Sequence, residues 1–101
     1  MEQIMLPILG LIIVVLGVVN CSGNISTIHY YNRRKVKEED VPQYGKAIGT
    51  GTIIIGLAVV ASFFIVTYWN EAILPYVLIP PVAVGLCFVL YGQFKYNKGI
   101  F

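Results

Sequence analysis

The chain has 101 residues, of which 57% are hydrophobic and only 12% charged, with a net charge of +2 and a mean hydropathy of +0.78. A soluble domain of this size carries roughly a quarter charged residues, so this balance excludes an ordinary water-exposed fold and makes a bilayer the natural solvent. The small net charge also argues against a nucleic-acid binder, because the one basic tract, RRKVK at 33–37, is followed at once by the acidic residues EED.

Three runs contain no charged residue, at 4–19, 47–69 and 72–92. At a rise of 1.5 Å per residue each spans about the 30 Å of a hydrocarbon core, the first only if it takes in residues 20–22. A lone three-stranded sheet would leave unpaired edges in lipid, so the runs predict helices. The expected fold class is all-α: an integral membrane bundle of three transmembrane helices in one domain covering 1–101. The first span covers about 4–22, a cytosolic loop with a short interfacial segment about 23–41, the second span about 42–69, the third about 74–92, and a cytosolic tail 93–101.

The first run has the apolar character of a secretory signal but not its positive n-region, since no Lys or Arg precedes Arg33. A retained span is expected. Pro7 falls in its first turn, where the missing N–H costs nothing. Gly10 and Gly17 lie seven residues apart on one face and offer a strip where a second helix can approach closely.

Between the first two spans, Ile25, Ile28, Tyr31 and Val36 are expected to form one side of a short interfacial helix capped by Ser26, with an irregular loop as the alternative. Its four-apart pairs, Arg34 with Glu38 and Lys35 with Glu39, place the base before the acid, the weaker orientation. Arg33, Arg34, Lys35, Lys37 and Lys46 lie between spans one and two, and Lys95 and Lys98 follow span three; these seven are all the Lys and Arg in the chain. Three spans put both groups on one side, which predicts a cytoplasmic C-terminus and an external N-terminus, with the seven as headgroup and topology anchors.

The second helix is expected to start before its apolar stretch. Asp40 and Gln43 have the spacing of a capping box, Pro42 suits the first turn, and Glu38, Glu39 and Asp40 stand at the positive end of the helix dipole. Tyr44 and Lys46 are then expected at headgroup depth. Gly45 and Gly49 form a GxxxG, Thr52 and Gly56 repeat the spacing, and Ala58 with Ser62 extends it. This face is read as packing on helices of the same chain, with a dimer interface as the alternative.

Tyr68, Trp69 and Tyr76 make an outer aromatic belt, and the short turn at 68–73 forces helices two and three into an antiparallel hairpin. Within helix three, Pro80 and Pro81 each remove a backbone hydrogen bond, which predicts a kink near the middle of the bilayer. Thr50, Thr52 and Ser62 are the candidate donors for the carbonyls left over.

Little in the chain points to chemistry. His29 is the only histidine, in the loop, and no spacing joins it to Cys21 or to the acidic cluster in a catalytic arrangement. Cys21 and Cys87 read as small packing residues beside a reducing cytosol, with neither a disulfide nor a metal assigned. Asn20-Cys21-Ser22 and Asn24-Ile25-Ser26 match a glycosylation pattern on the side expected to be cytosolic, so they are read as chance matches. No catalytic residue, metal or cofactor is expected.

The tract GNISTIHYYNRRKVKEEDVPQYGKAIGTGTIIIG, residues 23–56, resembles the first loop and second helix of an uncharacterised family of small three-span membrane proteins of Gram-positive bacteria. Tyr30, Tyr31, Arg33, Arg34, Glu38, Glu39, Tyr44, Gly45, Lys46 and Gly49 carry the resemblance, which implies a bacterial inner membrane but no activity. A more distant similarity is to toxin-immunity membrane proteins of the signalling-peptide type. The expected function is a non-enzymatic membrane subunit or immunity-like partner acting through helix packing, with the lipid bilayer, a membrane-protein partner or a second copy as its contacts. The rival is an oligomeric small transporter or channel using the Pro80-Pro81 kink.

Overall fold

The computed structural model describes residues 2–25 and 35–98. Its first helix, α1 (Glu2–Cys21), carries Pro7 in its second turn and ends in a glycine-dependent turn. Gly23 adopts a φ of 103°, its N–H donates to the Asn20 carbonyl at 3.0 Å, and the Asn24 N–H reaches the Val19 carbonyl at 3.3 Å. These are the two bonds of a Schellman motif, which satisfies carbonyls that α1 would otherwise leave open.

A single 3-10 turn, Glu38–Asp40, leads directly into α2 (Val41–Tyr68); a second, Glu71–Ile73, leads into α3 (Leu74–Tyr96). Pro42 and Pro75 occupy the opening positions of their helices, as their missing N–H groups allow. The turn between α2 and α3 is fixed by Asn70, whose side-chain oxygen accepts the Ala72 N–H at 2.9 Å. All three helices are long and apolar enough to cross a membrane, and the described residues contain no strand.

Two expectations need correction. Asp40 does not cap α2: it has helical dihedrals, φ −95° and ψ −5°, and its side chain makes no capping bond, so the Asp40–Gln43 capping box is not formed. The preceding 3-10 turn is the physical reason, because it already occupies the residue whose extended backbone a side-chain cap requires. The donors expected to serve the proline pair are also not the ones found. Pro80 and Pro81 lie inside an uninterrupted helix that begins at Leu74, so the carbonyls deprived of partners are those of Tyr76 and Val77, four residues earlier, in its first turn. Thr52 and Ser62 are not their donors, since their hydroxyls bond the carbonyls of Ile48 at 2.7 Å and Val59 at 2.6 Å within α2.

Helix α2 is the centre of the structure: α1 and α3 each pack along it and barely meet one another. Its two contact faces are set by two sets of glycines. On one face, a Cβ at Gly49 would stand 2.5 Å from the Gly17 carbonyl oxygen, and one at Gly56 would stand 3.0 Å from that of Gly10. On the other, a Cβ at Gly85 of α3 would stand 2.7 Å from the Gly51 carbonyl oxygen. Gly49 and Gly51 are two residues apart and therefore point about 200° apart around the helix axis, which places α1 and α3 on opposite sides of α2.

The obstructing atoms are backbone and cannot rotate away. Gly49→Val is expected to destabilise the α1 contact and Gly51→Val the α3 contact, each by about 2 kcal/mol, as overpacking of a close interface does. Leu57→Ala, at an exposed position of α2, is expected to change stability by less than about 0.5 kcal/mol. Reversible unfolding in mixed micelles measures all three.

Candidate functional site

The only concentration of buried polar side chains among the described residues lies at the end of the bundle that carries Lys35, Lys37, Lys46, Lys95 and Lys98. It comprises Asn20, Tyr44, Gln93 and Asn97, with exposures of 3%, 0%, 5% and 0%. Antiparallel packing brings them together: the last turn of α1, the first of α2 and the last of α3 share this end.

Tyr44 sits one turn before Ala47 and Ile48, which pack on Gly92. Its ring is therefore drawn against α3 and its hydroxyl donates to Oε1 of Gln93. Tyr44 is thus not the headgroup-facing tyrosine that the segment YGK suggests; the neighbouring Lys46 does remain exposed. Four residues beyond Gln93, the Asn97 side-chain oxygen accepts the Lys35 backbone N–H at 2.8 Å, tying the segment before α2 to the end of α3. Asn97 closes α3 with its N–H on the Gln93 carbonyl at 3.1 Å, and Lys98 follows with a φ of 62°, the left-handed conformation suited to a helix end. On the other flank, Asn20 Nδ2 donates to the Asn24 carbonyl at 3.0 Å, and the Asn20 backbone carbonyl lies where a Gly45 side chain would begin. No buried side-chain nitrogen or oxygen among the described residues lacks a partner.

On the outside of the same end, the Lys95 ammonium donates to the Tyr91 hydroxyl at 2.8 Å and lies 5.2 Å and 5.5 Å from the ring centres of Tyr91 and Tyr96. Both distances fall within cation–π range. Cys21 Sγ lies 4.0 Å from Thr50 Oγ1, and Cys21 and Cys87 are both free thiols. Among the described residues no three of His, Cys, Asp and Glu come together as metal ligands would.

Of the packing residues expected from sequence, Gly10, Gly17, Gly45, Gly49 and Gly56 all meet the α1–α2 contact. That occupation leaves no part of this glycine face for a dimer. Of the anchors, Lys35, Lys37, Lys46, Lys95 and Lys98 share one end, while Arg33, Arg34, His29 and most of the expected interfacial helix lie outside the described residues. Sequence reasoning missed Gly51, Gly85 and Gly92, and the roles of Asn20, Gln93 and Asn97. The available signal was the seven-residue spacing of Gly85 and Gly92, followed at once by an amide. Comparison of the chain with family models, with curated proteins and with solved structures finds no significant match.

A double-mutant cycle tests the buried bond. Tyr44→Phe and Gln93→Leu are each expected to cost about 1–3 kcal/mol, because each leaves a buried partner without this bond. The double variant is expected to fall short of the sum by about 1 kcal/mol or more, the sign of direct coupling. Equilibrium unfolding in micelles gives all four values.

Proposed function

We propose that the protein is a non-enzymatic, multi-pass membrane protein that works by contact, as a small subunit or an immunity-like accessory of another membrane protein. The observation that carries this reading is the open arrangement of the helices. Because α1 and α3 each pack on α2 and barely meet one another, both present long uncovered apolar faces, at residues 4–18 and 76–94. The polar side chains nearest to them are engaged in holding the helices together. Membership of the small three-span family suggested by residues 23–56, and a bacterial inner membrane, belong to the same proposal. The transport alternative draws no support from the proline pair, whose freed carbonyls stand at the outer end of α3 with the exposed Pro80 beside them.

The proposed orientation puts the lysine-bearing end in the cytoplasm and the Tyr68, Trp69 and Tyr76 end outside, following the bias of basic residues toward the cytoplasmic side. Cys21 is a poor reporter of it, since its half-buried thiol packs on Gly49. Cysteines placed at two exposed positions, Glu39→Cys and Ala72→Cys, are the better pair. In intact cells an impermeant thiol reagent is expected to label Ala72→Cys and to spare Glu39→Cys until the membrane is opened; the reverse pattern overturns the orientation.

The contact function is tested by crosslinking in native membranes followed by gentle extraction and identification of adducts. Recovery of one defined partner, or of a defined homo-oligomer, is the expected result. A strictly monomeric protein with no adduct would remove the proposal.

A further inference from the structure

On one side of the α2–α3 contact, at the lysine-bearing end, runs a groove of about 270 Å³ lined by Gln43, Lys46, Ala47 and Thr50 of α2 and by Phe88 and Tyr91 of α3. Adjoining hollows share Phe88 and Tyr91 with the groove and add Cys87, Leu90 and Lys95 to its walls. The polarity of the walls changes along the helix axes. At the mouth stand the exposed ammonium of Lys46, the amide of Gln43 and the hydroxyl of Tyr91, with Lys95 held on that hydroxyl at 2.8 Å. One to two turns deeper the walls are Ala47, Thr50, Cys87 and Phe88.

From this arrangement we infer that the groove is a binding site for a single anionic phospholipid, with its phosphate between Lys46 and Lys95 and an acyl chain along Phe88 and Cys87. Charge complementarity selects the headgroup. An ammonium has three donors, so after its bonds to Tyr91 and Tyr96 the Lys95 nitrogen keeps one for a phosphate oxygen. The Tyr91 hydroxyl, which accepts from Lys95, keeps its own hydrogen to donate. The Tyr91 hydroxyl and the Tyr96 ring hold Lys95 at this depth, so a charge is already in place before a lipid arrives. The acidic residues Glu38, Glu39 and Asp40 do not cancel the site: Asp40 precedes Lys46 by six residues, about 9 Å further along the axis toward water. The apolar inner wall is what a lipid uses and a free phosphate does not. The inference rests on the lysine-bearing end lying at a headgroup layer and is independent of any protein partner.

The test is native mass spectrometry of the intact chain released from nanodiscs of phosphatidylcholine and phosphatidylglycerol. Preferential retention of one phosphatidylglycerol is expected, and excess inorganic phosphate is expected not to displace it. Loss of each groove lysine is expected to lower the preference on the order of five-fold, so K46Q/K95Q lowers it on the order of twenty-five-fold. K98Q, which lines neither the groove nor the hollows beside it, is expected to change it less than two-fold. No preference for the anionic lipid overturns the site, and so does equal loss in K98Q and K95Q, which marks diffuse surface charge. A photoreactive phosphatidylglycerol gives an independent reading on the unaltered chain: adducts are expected within residues 43–50 and 87–95, and adducts confined to other segments overturn the assignment. Neither result depends on whether a protein partner is recovered.

Discussion

Backbone approach at glycine is the constraint on which the rest of this structure depends. In lipid, burying an apolar side chain gains little, because the acyl chains are as apolar as leucine; helices associate through close packing and through polar contacts. Closeness of the kind seen where Gly49 meets Gly17 and Gly56 meets Gly10 requires the Cβ to be missing from both partners. The seven-residue spacing of the two glycines within each helix keeps the contact on one face over two turns, so α1 and α2 run alongside one another over most of α1. Gly51 and Gly85 repeat the device on the opposite face. One helix with two glycine faces necessarily becomes the middle of three, and α1 and α3 are thereby held apart.

The polar cluster follows from the same approach. With Gly92 facing Ala47 and Ile48, the ends of α2 and α3 lie close enough for Tyr44 to be covered completely and for its hydroxyl to reach Gln93. With Gly45 against the Asn20 carbonyl, the end of α1 closes the other flank. Near the membrane boundary water would ordinarily compete for these groups, and the bonds would contribute little. Excluding it by packing makes them costly to leave unmade, so the cluster fixes the register of helices whose apolar stretches alone would let them slide. The Lys35 bond to Asn97 extends that register to the segment entering α2.

The three helices were legible because span length and the absence of charge are demands of the bilayer, imposed residue by residue along the chain. Gly10, Gly17, Gly49 and Gly56 were legible as packing positions because their spacings are periodic within a helix. Gly51 was masked by Gly49: in AIGTGT a single GxxxG reading takes one glycine and passes over the other, and only the placement of a third helix separates them. Tyr44 reads as interfacial because tyrosine usually is, and its burial depends on Gly92, far away in sequence. The capping box failed for a local reason, since a 3-10 turn and a side-chain cap compete for the same residue. The donors expected for the proline pair failed for a local reason too, since Thr52 and Ser62 bond carbonyls of their own helix.

The accounting of small residues also constrains what an association with another protein can look like. Gly10, Gly17, Gly45, Gly49, Gly51, Gly56, Gly85 and Gly92 all face other helices of the chain. The outward faces of α1 and α3 are built instead from Ile, Leu, Val, Met and aromatic side chains. A partner helix meeting those faces would be held at the wider spacing that bulky side chains impose, without close backbone contact, and lipid would compete with it on nearly equal terms. Specificity for a partner must then come from the ends of the bundle, where polar and charged groups stand at the surface. The lysine-bearing end is the richer of the two, and its groove between α2 and α3 already has the polarity gradient of the surrounding lipid. A protein contact at this end would therefore meet a surface whose character is set by the lysines, Gln43 and Tyr91 rather than by close backbone packing.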